Sequence, residues 1–271
     1  MSLIRRLFYK GRKYYDDDFD WENYTADSYE RRLKSDVESK FQARSGAGQL
    51  RFDAETGRLD TQGAELHPNQ VLILEAAGRL QSSSVHEVGC GGGDHIATMQ
   101  RLFPQIHCTG GDRGASQLRL ARRLHPDMDG KLGLQDITMP FSRHWPQADL
   151  VYTQAVLMHI HTAVSHFVGL ANMFAQARNQ VLLMENQQCH DFVSDVRRLQ
   201  DGGHLPWDEL NLYLFEGSTG ARAMLASRVK LDFPVLETDA QLRAGLKPSA
   251  RRLKRSVEDS ARGIFGFSQA E

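Results

Sequence analysis

The sequence is poor in cysteine and in long apolar runs, and it lacks a dominant charge; each shortage excludes something. Cys90, Cys108 and Cys189 are its only 3 cysteines among 271 residues, and they show no metal or redox spacing. With no signal peptide in view, an odd, sparse set reads as reduced thiols in a cytoplasmic protein, not as a disulfide framework. No apolar run approaches the roughly 18 residues of a membrane-spanning helix. The N-terminus is basic but has no apolar stretch of the secretory kind. Formal net charge is −1, so the chain as a whole does not read as a nucleic-acid binder. Internal repeats and low-complexity tracts are missing too.

What is present suits one large α/β domain with additions. The apolar fraction is 41%, ordinary for a chain that buries a core. Order begins at His67-Pro68, where Val71, Leu72, Leu74 and Leu80 predict a helix after the proline. A strand over Val85 to Val88 leads into a glycine loop. Ile96, Met99, Leu102 and Phe103 place a helix at 93–103, ended by Pro104. Further strands are expected at Ile106–Gly111, Lys131–Gln135, Ala148–Thr153 and Gln180–Glu185, with helices around Leu118–Leu124 and over His161–Ala177. Phe192–Leu199 reads as helix, and Leu210–Phe215 and Leu231–Leu236 as two closing strands. Alternation of short apolar strands and amphipathic helices predicts a doubly wound, mostly parallel sheet of seven strands with helices on both faces. Residues 1–66 form an N-terminal extension on the acceptor side. It holds a charged helix at Tyr29–Phe41 and a hairpin-like stretch anchored by Leu50, Phe52 and Leu59. Residues 67–245 are the main domain, and 246–271 a basic tail.

Glu87-Val88-Gly89-Cys90-Gly91-Gly92-Gly93 lies between a strand and a helix, where glycines let backbone approach a ligand closely. A dinucleotide fingerprint starting at Gly89 would need its third glycine at 94. Asp94 stands there, and a carboxylate beside a pyrophosphate would repel it. The loop therefore suits a ligand without phosphate better than NAD.

The loop resembles the acidic-x-Gly-x-Gly-x-Gly motif of class I, Rossmann-like S-adenosylmethionine-dependent methyltransferases. Three further segments are similar to that family in order and spacing: Gly110–Leu118 with Asp112, Leu134-Gln135-Asp136-Ile137, and Ala148–Ile160 with Thr153. The likeness spans about residues 70–190. It implies S-adenosyl-L-methionine as methyl donor and S-adenosyl-L-homocysteine as product. It also implies a cofactor site of Glu87, Gly89, Cys90, Gly91, Gly93, Asp112, Arg113, Gln135, Asp136, Ile137 and Thr153. Glu87 would orient the amino group, Asp112 hold the ribose hydroxyls and Asp136 accept from adenine. Plainer roles stand beside these: a tight turn for the glycines, a helix N-cap for Asp112, a turn cap for Asp136.

On the acceptor side the sequence offers two histidine bases, His159 and His190, for a hydroxyl nucleophile. Packing is the alternative for both. His159-x-His161 is half of a metal pattern without a matching carboxylate pair, so no metal is expected. Trp145 and Trp207 read as packing residues. Thr153-Gln154-Ala155-Val156 lacks the Asn/Asp-Pro-Pro-Tyr/Phe motif of amino-methylating relatives. O-methylation of a small molecule or glycan is therefore the first expectation. Methylation of RNA or protein, reached through the basic termini, and a non-catalytic cofactor-binding subunit are the alternatives. Leu3, Ile4, Leu7 and Phe8 beside arginines, with Ile264, Phe265 and Phe267, suggest peripheral contact with the cytoplasmic membrane face.

Overall fold

A computed structural model describes residues 50–61, 66–161, 164–187, 189–233 and 238–246. The expected helix at Tyr29–Phe41, the apolar N-terminal patch and the tail beyond Leu246 lie outside the described residues.

The chain opens with a hairpin, β1 (Arg51–Asp53) and β2 (Arg58–Asp60). There follow α1 (Pro68–Arg79), β3 (Ser84–Val88), α2 (Asp94–Leu102), β4 (His107–Asp112), α3 (Ala115–Leu124), β5 (Leu132–Leu134), β6 (Ala148–Gln154), α4 (Ser165–Gln176), β7 (Ala177–Met184), α5 (Phe192–Asp201), β8 (Asn211–Glu216), β9 (Arg222–Ser227) and α6 (Asp239–Gly245). Proline at the start of α1 supplies the φ of a first turn and lacks only an N–H that the helix leaves unpaired there.

Seven strands form one sheet in the order β5-β4-β3-β6-β7-β9-β8. β5 to β7 pair in parallel, while β9 runs antiparallel to both β7 and β8. Period-two alternation divides the core. On β6, Leu150 and Tyr152 face one cluster, with residues of α1, α2 and α3. Val151 faces the other, with residues of α4, α5 and α6. On β7 the split is Leu182 and Met184 against Val181 and Leu183. Each such side chain, fully buried, contributes about 1.5–3 kcal/mol.

The predicted elements from Pro68 to Phe215 are present, with shifted ends. α4 begins at Ser165, later than the expected His161. The last strand needs correction: β9 lies at Arg222–Ser227, while Leu231–Phe233, the part of the expected Leu231–Leu236 strand within the described residues, form no strand. Its sequence, Arg-Ala-Met-Leu-Ala-Ser, has little β-propensity. It is a strand because the turn at residues 217–220 folds it back between β7 and β8, where both faces are covered.

The β1–β2 hairpin, counted with the extension at the sequence level, packs on the main domain. Phe52 fills the space beside Gly78 and meets Phe103 edge-on at 5.4 Å. Glu75 of α1, 1% exposed, clamps it: one oxygen accepts the Leu59 N–H at 2.9 Å and the other the Ser218 N–H at 2.8 Å. One carboxylate thus ties the hairpin, α1 and the β8–β9 turn.

Candidate cofactor and acceptor site

Between β3 and β6 the strand order reverses, and such a switch point opens a crevice at the carboxyl ends of the strands. Val88 of β3 lies between Gly111 of β4 and Thr153 of β6. This register gathers Glu87, the glycine loop, Asp112 and Thr153 at one edge.

Gly89, Gly91 and Gly93 have φ of +72°, +50° and +75°, a region costly for residues with a Cβ. At Gly89 a Cβ would overlap Val156 Cγ2, so glycine is required there twice over. The N–H groups of Gly89 and Cys90 both donate to Gly111 O, at 2.7 and 3.0 Å. Asp112 accepts from Gly91 N–H at 2.9 Å and from Gly114 N–H at 2.7 Å. It is not the N-cap of α3, which is Gly114. Asp112 thus pins the loop to β4.

Glu87 is 3% exposed. One oxygen meets His95 Nδ1 at 3.2 Å, and Oε2 is buried with no hydrogen-bond partner. The Tyr152 hydroxyl lies near this carboxylate; burial first, and that charge second, raise its pKa well above the phenolic value. Gln117 Oε1 is also buried and unpartnered, next to Gly91. A buried polar group without a partner is costly, and a ligand bearing an ammonium and hydroxyls satisfies such a set. The residues present thus fit S-adenosylmethionine. Gln117 was not singled out from sequence; its signal is an amide on the inward face of α3, among Leu118, Leu120 and Ala121.

Gln135 has an interior task. Its Oε1 accepts from His86 Nε2 at 2.8 Å and its amide donates to Gln176 Oε1 at 2.7 Å. Because Oε1 only accepts, His86 carries its proton on Nε2, and Nδ1 accepts from the Thr109 hydroxyl at 2.9 Å. Burial pushes the His86 imidazole down to about 4. A Cβ at Gly111 would overlap Gln135 Oε1. The side chain of Gln135 is therefore engaged in an interior network with His86 and Gln176. Asp136 caps its own turn, accepting from Thr138 N–H at 3.0 Å and the Thr138 hydroxyl at 2.6 Å. Ile137 is buried in the α4-side core, Arg113 is exposed, and the Cys90 thiol is pushed well up by burial. Thr153 is fully buried, with Oγ1 unpartnered.

Asp94 pairs with His125 Nε2 at 2.8 Å, while Arg101 donates to His125 Nδ1 at 3.3 Å. The carboxylate at the third-glycine position is thus engaged with His125 at the end of α3.

On the acceptor side, His159 is half-buried at the end of a single 3-10 turn, Leu157–His159. His190 is differently placed. Its Nε2 donates to Ile160 O at 2.8 Å, and its ring stacks on His166 at 4.1 Å and 10°. Its Nε2–H thus ties two loops together. Among the described residues, His166, His190 and Asp195 bring ligand-type atoms within 4.8 Å of one another. Imidazole lone pairs lie in the ring plane, so those of two parallel rings run side by side and do not converge on one ion. The group is a packed stack, with Asp195 at 3.6 Å from His166. Trp207 packs edge-on to Phe174 at 4.7 Å and donates to Ala177 O; Trp145 meets Phe141 edge-on at 5.8 Å.

The sheet order and the crevice at its switch point are those of a class I, Rossmann-like methyltransferase fold. Residues 86–174 match the family model described as a methyltransferase domain. No curated protein matches the chain significantly. Among solved structures it is similar to CalS10, an amino pentose methyltransferase from Micromonospora echinaspora, at 17% identity over 65% of this chain and 95% of that one, with TM-score 0.46. A TehB-like methyltransferase from Corynebacterium glutamicum is 16% identical over 61% and 89%, TM-score 0.44. Magnesium protoporphyrin IX methyltransferase from Synechocystis is 15% identical over 83% and 96%, TM-score 0.39. Likeness at this level selects no acceptor. No helix of the described residues is long and apolar enough to cross a membrane.

Proposed function

We propose that this chain is an S-adenosylmethionine-dependent methyltransferase that methylates a hydroxyl group of a small molecule or glycan, with His159 as general base. The observation that carries the proposal is the make-up of the β6 end. Thr153, Gln154, Ala155 and Val156 offer a hydroxyl and an amide but no acid and no Pro-Pro-aromatic turn to grip an amino group. His159 follows within one turn. When bound, S-adenosylmethionine supplies an activated methyl group.

The chain's own contribution is then to bind, align and deprotonate. Glu87 Oε2 takes the cofactor's ammonium, and Asp112, with Gln117 beside it, takes the ribose hydroxyls. The glycine loop lets the backbone lie against the methionine portion, with Cys90 buried beneath. Asp136 and Ile137 border the adenine, and Thr153 forms the floor. His159 accepts the acceptor's proton, a role suited to imidazole near neutral pH. Much of the acceleration then comes from alignment in a site closed to water.

Transfer of tritiated methyl to a cell extract, separated into small molecules, glycans, RNA and protein, tests the acceptor class. Label is expected in the small-molecule or glycan fraction; label confined to RNA or protein overturns the proposal. With that acceptor, His159→Ala is expected to lower kcat about 100-fold and remove the acidic limb of the pH profile, with cofactor affinity unchanged. Unchanged kcat removes His159 from the mechanism.

A further inference from the structure

Glu185 follows β7 and plays no part in the assignments above. Its carboxylate is half-buried, and three successive backbone N–H groups donate to it. Those of Val156 and Leu157 reach Oε1 at 3.0 and 3.2 Å, and that of Met158 reaches Oε2 at 3.0 Å. These are the donors at the start of the 3-10 turn that ends in His159, and a turn this short cannot pair them itself. Just before them Ala155 has φ +53°, a left-handed conformation that a residue with a Cβ adopts at a cost. Its N–H is tied to Met184 O at 3.1 Å. The segment after β6 is thus bent out of its natural path and held there from β7.

The same segment touches both halves of the crevice. Val156 Cγ2 occupies the space that a Cβ on Gly89 would fill, so it lies against the glycine loop. At the other end, the His159 N–H donates to Val156 O at 3.1 Å. One carboxylate therefore holds a strap that borders the donor loop at one end and carries the acceptor-side histidine at the other.

We infer that Glu185 is a positioning residue that fixes residues 156–159 against the glycine loop and so couples cofactor binding to the placement of His159. The inference rests on the proposed role of His159 for its catalytic meaning, but not for the strap itself. Glu185→Gln is informative because the amide is nearly isosteric. Oε1 can still accept from Val156 and Leu157, while an amide nitrogen would face the Met158 N–H, donor against donor. Glu185→Ala removes both acceptor oxygens and leaves all three N–H groups without them.

Hydrogen exchange of the full chain, with and without S-adenosyl-L-homocysteine, reads the strap directly. In the native protein the product is expected to slow exchange over 156–159. Glu185→Gln should speed exchange there by about tenfold, Glu185→Ala by more, with the strands of the sheet unchanged. Ligand-induced protection of the segment should disappear in both. Val156→Ala keeps Glu185 and should retain basal protection over 157–159 while weakening affinity for S-adenosyl-L-homocysteine about threefold to tenfold. The inference is overturned by unchanged exchange at 156–158 in Glu185→Gln, or by native ligand protection persisting there. An unchanged affinity in Val156→Ala overturns the coupling to the donor loop. If the native chain binds no S-adenosyl-L-homocysteine, the cofactor assignment fails instead, while the basal exchange rates still decide the strap.

Discussion

The two sides of the crevice are built on different principles. On the donor side, at the ends of β3 and β4, the backbone does the shaping. Three glycines at positive φ form the loop, Asp112 pins it, and Glu87 Oε2 and Gln117 Oε1 are left buried without partners. On the acceptor side, around β6 and β7, side chains tie loops to one another. Glu185 holds three N–H groups, His190 holds Ile160 O, and Asn172 donates to the carbonyls of Ile137 and Met139, each at 2.7 Å. A site with buried unpaired acceptors is ready for one defined ligand. A site whose loops are braced by their own side chains can change its acceptor by changing those side chains, because function sits in what is grafted on the fold.

The sharpest way to break this contrast is Gly89→Ala. A Cβ there meets both the left-handed backbone and Val156, and should cost about 2–5 kcal/mol in stability and abolish cofactor binding. Denaturation and calorimetry on one sample check it; near-native behaviour would mean that the loop is not shaped by backbone. Glu75→Ala separates clamp from site. It leaves the Leu59 and Ser218 N–H groups unsatisfied and should cost about 2–4 kcal/mol, with affinity for S-adenosylmethionine unchanged when measured well below the melting temperature. Asp112→Ala is the reverse case. It should weaken that affinity about tenfold to 100-fold by calorimetry, with a smaller loss of stability.

The smallest effect concerns pH. His86 titrates at about 4 in the folded chain, against about 6.5 when unfolded. Above pH ~6.5 both forms are neutral and its contribution is complete. As pH falls from ~6.5 towards 4, only the unfolded chain takes up the proton, so stability drops by about 1.4 kcal/mol per pH unit. In His86→Gln that share of the acid-side slope should vanish, as melting curves between pH 4 and 7 would show.

The same contrast explains what was legible in the sequence. The donor side was readable because its signals are local. A period-two strand, glycines where φ is positive and an acid at the next strand's end all lie within about thirty residues. The parallel sheet was readable because buried strands are apolar in runs. β9 was not, since Ala and Met carry little strand signal and its place depends on the β8–β9 turn. Gln135 and Asp94 stood where a ligand contact or a repulsion was expected, yet their partners, His86, Gln176 and His125, come from other elements. Glu185 could be noticed as an acid after a strand, but not as the holder of a strap 27 to 29 residues earlier in the chain.

The central claim is that the crevice between β3 and β6 receives S-adenosylmethionine and not a dinucleotide. Titration calorimetry of the full chain with S-adenosyl-L-homocysteine and, separately, with NAD tests it most directly. Saturable one-to-one binding of the first and none of the second is predicted. Binding of NAD without binding of S-adenosyl-L-homocysteine would contradict the account.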